Sequence, residues 1–256
     1  TAPESAAYNV WFAVRVRDGL DPQALARAAD RLLERHPVLR TVYDVADGEP
    51  VARATGPAEG TLVTIDASSW DDAELRDELA RQAHVPFDLA TGPILRLRLY
   101  SRRGDQTLLF AAHHIAVDFW SLQLLSADLL ALHVEERGGE PARAVGGASY
   151  AELVAWQHAW LRTPEADRAL ERWRDELVEA PAALALPTDR ARPALPSYRG
   201  ELAPVRLSRA LGGALAALAE AEGCTLFTLL LASFQVLLSR ITGQDDVVVG
   251  APTAGR

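Results

Sequence analysis

The chain has 256 residues, of which 49% are hydrophobic, and it carries a formal net charge of −9 at pH 7. This composition is typical of a globular protein, and its acidity argues against a nucleic-acid partner, which calls for a basic surface. The single cysteine excludes an internal disulfide framework and a four-cysteine zinc site. No apolar stretch reaches about 18 residues and no signal peptide opens the chain, so we expect a cytoplasmic protein without membrane contact.

The first half of the chain alternates between strand and helix patterns, which predicts an α/β fold. Asp47-Gly48 predicts the turn of a hairpin. His133 lies near the end of a predicted helix, where a positive charge would interact favourably with the helix dipole. The predicted strands cover residues 10–16, 39–43, 62–66, 94–100 and 107–110, the last one buried on both faces, and the predicted helices cover 22–33, 70–84 (starting near 68–69) and 119–133.

The second half begins with a long helical tract whose tryptophans Trp156, Trp160 and Trp173 indicate core and interface packing. Prolines interrupt residues 181–197, which predicts a linker. Short strands at 205–207 and 246–251 and helices at 211–222 and 225–241 complete the predicted elements. We therefore divide the chain into a first lobe at residues 1–180, the linker at 181–197 and the start of a second lobe at 198–256.

Chemistry concentrates at the junction between the predicted strand ending near Phe110 and the helix after Asp118. His113 and His114 are adjacent, so their side chains point to opposite faces and cannot do the same job. One can hydrogen-bond inside the protein, while the other faces a cavity and takes a proton from an attacking amine or alcohol. The alternative is structural: one histidine is a core residue and Asp118 only caps the helix at Phe119.

The string His113-His114-x-x-x-Asp118-x-Trp120-Ser121 resembles the HHxxxDG motif of the condensation domains of nonribosomal peptide synthetases. Phe119 stands where that motif has Gly. Three more segments resemble motifs of the same family in the same order. They are residues 35–41 (RHxxLRT), 150–157 (YxDFAxWQ) and 245–256 (DxVxGxPxxxR).

The resemblance implies the α/β fold shared with chloramphenicol acetyltransferase, in which two lobes form a V around a substrate tunnel. We expect the first lobe to be complete or nearly so and the second to be only partly present. The earliest family motif would precede Ala6, and the rest of the second lobe would follow Arg256.

The resemblance also implies peptide-bond formation between a donor acyl or peptidyl thioester and the amine of an acceptor aminoacyl thioester. Both substrates arrive on the 4′-phosphopantetheine arms of upstream and downstream carrier proteins, with an adenylation domain as neighbour. No directly bound cofactor, metal, nucleic acid or membrane is implied. His114 matches the catalytic histidine of the motif, and its role as general base or as orienting group stays open.

The remaining motif residues receive supporting roles by the same resemblance. His113, Trp120 and Ser121 support the site, and Asp118 is architectural and pairs with Arg256 across the lobes. Phe119 is a candidate for narrowing or redirecting a substrate channel, and His36 has a chiefly architectural role.

Three alternatives remain open. The first is an ester-forming acyltransferase of the same superfamily. The second is an epimerisation or cyclisation relative, although cyclisation domains replace the histidines with aspartates. The third is a non-catalytic domain of the same fold that docks carrier or tailoring proteins.

Overall fold

The computed structural model describes residues 5–17, 19–56, 61–143, 148–180, 183–191, 193–194 and 203–252. Its contacts divide the chain into two compact units, one reaching to Gln157 and one beginning at His158. The lobe boundaries and the linker that the sequence indicates stay predictions.

The described part of the first unit is a mixed α/β structure, as the sequence predicts. A fourth helix runs across the boundary between the units. The strands are β1 Asn9–Val16, β2 Thr41–Ala46, β3 Glu49–Ala54, β4 Leu62–Asp66, β5 Leu95–Arg102 and β6 Asp105–His113. The helices are α1 Pro22–Arg35, α2 Asp72–Ala83, α3 Phe119–Glu136 and α4 Tyr150–Trp160.

Four of these strands form one sheet, in the order β1-β6-β5-β4. The central strand β6 is antiparallel to both of its neighbours, whereas β4 runs parallel to β5. Residues 107–112 of β6 are all buried, so the prediction of a strand covered on both faces is confirmed. The strands β2 and β3 form a separate hairpin, which turns at Asp47 and Gly48 as predicted.

Helices cover both faces of the sheet because its apolar residues alternate between the two faces. On one face, Leu95, Leu97 and Leu99 of β5 join the main core with the buried stripes of α1 and α3. On the other face, Tyr100 and Leu109 form a smaller core with α2 and the segment before it. This layering fixes β6 and α3, the two elements that meet at the predicted site.

Ion pairs hold α1 against α3. Arg35 Nη1 lies 2.5 Å from Asp128 Oδ1, and His36 Nε2 lies 2.9 Å from Asp128 Oδ2. All three side chains are at least three-quarters buried, and further ion pairs join the same two helices. These contacts fit an architectural role for His36, since they set the position of the helix that starts at the site.

His133 on α3 corrects a prediction. Its side chain is buried, and its Nε2 accepts a hydrogen bond of 3.1 Å from the backbone N–H of Asp21, the N-cap residue of α1. Burial, and secondarily the charge of Arg137, lower the pKa of His133. A neutral acceptor of this kind cannot serve as a positive charge at the helix end, so the dipole interpretation is wrong.

Several element boundaries differ from prediction, and two of the differences have a local structural cause. Residues Pro37–Arg40 form a short 3-10 helix, so the following strand begins at Thr41 and not at residue 39. Helix α2 is capped by Asp71 and not near residues 68–69. Asp71 accepts from the N–H of Glu74 while Glu74 reaches back to the N–H of Asp71, and this reciprocal capping box outweighs the serines.

The second unit is helical in its described residues. Both predicted C-terminal helices are confirmed to within two residues. The second of them, Leu226–Thr242, is capped by Gly243, whose φ of 70° suits a left-handed cap. The helices are α5 Pro164–Leu177, α6 Arg209–Ala221 and α7 Leu226–Thr242.

Other predictions for this half are wrong. Residues 205–207 and 246–251 form no strand, because a strand needs a pairing partner and no described segment pairs with them. Trp156, Trp160 and Trp173 are 62%, 39% and 64% exposed, so none of them lies in a core of the described residues, and their packing at an interface stays a prediction.

Among the described helices, none is by itself long and apolar enough to cross a membrane. Helices α6 and α7 meet the length and composition requirement only as a pair, and they are bent by 103° relative to each other.

Candidate active site at the end of strand β6

The histidine pair lies where β6 ends and the chain turns towards α3. The backbone N–H of His113 donates to Ile94 O at 3.1 Å, and that of His114 donates to Tyr8 O at 2.8 Å. The two histidines are therefore bonded in opposite directions, one to the segment that leads into β5 and the other to the start of β1. Ala116 N–H then donates to His113 O at 3.1 Å and closes the turn.

His113 turns into the protein. Its half-buried ring lies edge-on to Phe87, with centroids 6.4 Å apart, and 6.2 Å from the ring of Tyr8. Its Nδ1 accepts a 3.1 Å hydrogen bond from the backbone N–H of Ile115, so the proton of the neutral ring lies on Nε2. Burial, and secondarily the neighbouring His114, lower the pKa of His113. The structure therefore favours a neutral His113 with one fixed tautomer.

The side chain of His114 is exposed, in contrast to the half-buried ring of His113. The first two residues of α3 are exposed as well, Phe119 by 58% and Trp120 by 59%. An imidazole and two large rings thus stand on the surface of one short segment, although such rings gain most from burial. This difference in burial fits the alternation expected from the sequence.

Asp118 caps α3. Its Oδ1 accepts from the backbone N–H of Ser121 at 2.7 Å and from the Ser121 hydroxyl at 2.6 Å. The sequence places these two residues at the site, and the structure assigns both to the N-terminal turn of the helix. They position Phe119 and Trp120, which lie between them in the chain.

The partner predicted for Asp118 lies outside the described residues, since the description ends at residue 252 and Arg256 follows it. The pair between Asp118 and Arg256 therefore stays a prediction.

Within the described residues, no three His, Cys, Asp or Glu side chains are grouped so that they could hold a metal ion. An open cavity of about 380 Å³ lies in the second unit. None of the residues predicted for the site lines this cavity. It is lined by Gln235, Val236, Ser239, Arg240, Asp245 and Val247.

Sequence reasoning missed four residues around His113. Asn9 at the start of β1 and Tyr8 directly before it face the end of β6. Phe87 lies edge-on to the His113 ring, and Arg96 lies over the ring of Phe87. The register of β1 against β6 brings Tyr8 and Asn9 to this place, and strand register cannot be derived from local sequence patterns. A polar Asn directly before the apolar run of β1 was the one available signal.

A four-stranded sheet covered by helices, with a histidine pair at a strand-to-helix junction, fits the class of chloramphenicol-acetyltransferase-like proteins. The profile of the Condensation domain family matches residues 1–256. The chain therefore belongs to the condensation domain family, and the resemblance read from its motifs is confirmed.

Known proteins support both the family and the fold. A protein of the linear gramicidin synthase of Brevibacillus parabrevis is 39% identical over 261 residues, which cover 99% of this chain and 3% of that synthase protein. SgcC5 from Streptomyces globisporus superposes with a TM-score of 0.79 at 26% identity, over 95% of this chain and 56% of SgcC5. The X-domain from teicoplanin biosynthesis superposes with a TM-score of 0.82 at 27% identity, over 94% of this chain and 54% of the X-domain.

These similarities confirm the predicted chloramphenicol-acetyltransferase-like fold. The chain spans a small part of the gramicidin synthase protein and little more than half of each of these two structural neighbours.

Proposed function

We propose that the chain is part of a catalytic condensation domain that forms an amide bond between two carrier-bound thioesters. The observation that carries the proposal is the division of labour in the intact His113-His114 pair. One ring is turned inward and kept neutral, and the other is exposed at the strand-to-helix junction.

In the proposed reaction, the acceptor amine attacks the carbonyl carbon of the donor thioester. The new C–N bond forms and the C–S bond breaks, and the proton lost by the nitrogen goes to the departing phosphopantetheine thiolate. Because a thioester is already activated, the protein mainly has to position two arms and manage one proton. His114 would accept that proton and pass it on, or orient the amine and stabilise the tetrahedral intermediate.

The other site residues support this chemistry. His113 would fix the turn, Ser121 and Asp118 would fix the start of α3, and Asp118 would also pair with Arg256. Phe119 would narrow or redirect one substrate channel, because its ring is 58% exposed and so does not serve as core packing. Trp120 beside it would support the same wall.

The proposed partners follow from the family. They are an upstream and a downstream peptidyl or acyl carrier protein, each with a 4′-phosphopantetheine arm, and a neighbouring adenylation domain. The domain itself would bind no cofactor directly, and we place it in the cytoplasm.

The deciding experiment is a single-turnover assay of the full-length protein with two loaded carrier proteins, following amide product by intact-protein mass spectrometry. Wild type is compared with His114→Ala, and Leu237→Ala in α7 serves as a control substitution outside the residues predicted for the site. Product in wild type and in the control but a loss of about 10²- to 10⁴-fold in His114→Ala supports the proposal. Equal rates in all three proteins contradict the role of His114.

A second candidate is a docking domain without chemistry. The similarity to the X-domain, which forms a complex with OxyB in teicoplanin biosynthesis, favours it, as does the ring of Phe119 where the motif has Gly. Absence of product from wild type with carrier binding retained would favour this candidate.

A further inference from the structure

The start of β1 faces the histidine pair. In the antiparallel register of β1 and β6, Asn9 lies directly opposite His113. The hydrogen bond from His114 N–H to Tyr8 O makes the neighbouring position the bonded pair. Asn9 and His113 therefore form a non-hydrogen-bonded pair, the kind in which opposite side chains approach most closely.

The side chain of Asn9 is committed to a single loop. Its Nδ2 donates to Ala83 O at 2.7 Å and to Val85 O at 2.9 Å, and these two residues lie at the end of α2 and just beyond it. Its Oδ1 is buried and accepts no hydrogen bond from the described residues. A buried acceptor without a hydrogen bond lowers the stability of the folded protein. The two N–H bonds of Asn9 hold the loop in spite of this cost.

The same loop carries the ring that touches His113. Phe87 is buried and meets His113 edge-on at 6.4 Å. Arg96 on β5 lies 4.3 Å above the Phe87 ring and donates to the carbonyls of Val85 and Pro86 at 3.1 Å and 3.2 Å. Asn9 and Arg96 thus grip the loop from two different strands and share Val85 O.

We infer that Asn9 is a positioning residue for the histidine pair. Its amide fixes the loop, the loop holds Phe87 against His113, and His113 keeps the neutral tautomer in which Nδ1 accepts from Ile115 N–H. Since His114 follows directly on the same turn, a loosened His113 would misplace the exposed ring. The expected effect on reaction rate rests on the proposed function, whereas the effect on the His113 ring does not.

The variant Asn9→Asp tests the inference because it keeps the shape and the Oδ1 atom but replaces the two N–H donors with an acceptor. The chain offers a matched control in Gln106→Glu. Gln106 lies at the other end of the same strand pair, opposite Val16. Its amide also holds a neighbouring segment, since it accepts from Leu20 N–H and donates to Leu20 O and to Ser101 Oγ. Both variants remove one amide donor group and add one negative charge.

The first readout is the tautomer of His113 in the full-length protein labelled with ¹⁵N-histidine, with the signal assigned by its loss in His113→Gln. In wild type and in Gln106→Glu, we expect one neutral tautomer with the proton on Nε2. In Asn9→Asp, we expect averaged ring signals. The second readout is amide formation by the full-length protein, for which Asn9→Asp lowers kcat about ten- to a hundredfold with little change in KM for the carriers.

Several results would overturn the inference. Asn9→Asp with a fixed tautomer and unchanged kcat shows that the clamp does not position the pair. An equal loss of kcat in Gln106→Glu shows a general loss of stability instead. If wild type forms no amide, the proposed function fails while the ring signals still decide the role of Asn9. If Asn9→Asp does not fold, Phe87→Leu replaces it, and an unchanged His113 tautomer in that variant overturns the inference.

Discussion

The two units of the chain are both rich in apolar helices, yet the described residues build an extended core only in the first. Helices α1 and α3 completely bury Leu32 and Leu129 against the sheet. The buried residues of α6 and α7 are Ala219 and Leu238 alone, and Phe227 on α7 is 63% exposed. The difference is the partner: α1 and α3 lie on a four-stranded sheet, and the described residues give α7 no such surface. Apolar periodicity makes a helix, but burial needs a second element.

The largest expected effect is a loss of stability, and it tests this difference in burial directly. Leu32→Ala in α1 removes a side chain with no exposed surface, whereas Leu237→Ala in α7 removes one that is 51% exposed. We expect a loss of about 2–5 kcal/mol in the free energy of unfolding for the first and under about 1 kcal/mol for the second. Urea denaturation of the chain followed by circular dichroism measures both. Equal losses would mean that something covers α7 in solution.

A second pair of variants compares ion pairs. Asp128→Asn removes the carboxylate that holds Arg35 and His36, all largely buried. Glu165→Gln removes the partner of Arg168 on α5, where the side chains are 63% and 64% exposed. We expect losses of about 1–3 kcal/mol and under about 0.5 kcal/mol, because only the first leaves a largely buried guanidinium, that of Arg35, without its ion-pair partner. The same denaturation curves test this. An Asp128→Asn variant as stable as wild type would refute the view that the contact anchors α3.

The fold of the first unit was largely readable from sequence because its local signals and its tertiary contacts agree. The alternating run of β5, the buried run of β6 and the cap at Asp21 each predict what the structure contains. The strand predicted for residues 246–251 is wrong. This segment has an apolar run like that of β6, but no described strand pairs with it. A pattern states what a segment can bury and leaves open whether a partner exists.

The third prediction compares helix caps in the two units. Asp118 accepts from both the N–H and the hydroxyl of Ser121, whereas Thr225 at the start of α7 accepts from Thr228 N–H at 3.1 Å. We expect Asp118→Ala to lower the free energy of unfolding by about 1–2 kcal/mol and Thr225→Ala by about 0.5–1 kcal/mol. Thermal unfolding of the chain measures the difference. A smaller loss for Asp118→Ala than for Thr225→Ala would show that capping is not its main contribution.

At the candidate site, sequence predicted the residues on one segment and missed those brought there by pairing. His113, His114 and Asp118 are close in the chain, so their junction could be recognised from spacing alone. Asn9 and Phe87 reach the same place through the register of β1 and the path of the loop after α2. The strand register and the path of the loop depend on how the chain packs in three dimensions, and no local sequence pattern encodes that.

The smallest expected effect is a pH dependence that belongs to the first unit. Burial lowers the pKa of both His113 and His133 below the ordinary value of 6.5. The unfolded chain therefore binds more protons than the folded chain just below pH 6.5, and stability rises with pH there. The contribution of both rings is complete above pH 6.5 and is lost as the pH falls through their folded pKa values. Denaturation midpoints between pH 7.5 and 5 measure the slope.

One substitution separates the two rings. His133→Gln keeps an acceptor for Asp21 N–H but cannot take a proton, so we expect it to flatten the slope without abolishing it, because His113 still titrates. A slope that survives intact in His133→Gln would assign the whole pH dependence to other groups. A slope that disappears would leave His113 without a linked proton and so contradict its burial as a neutral ring.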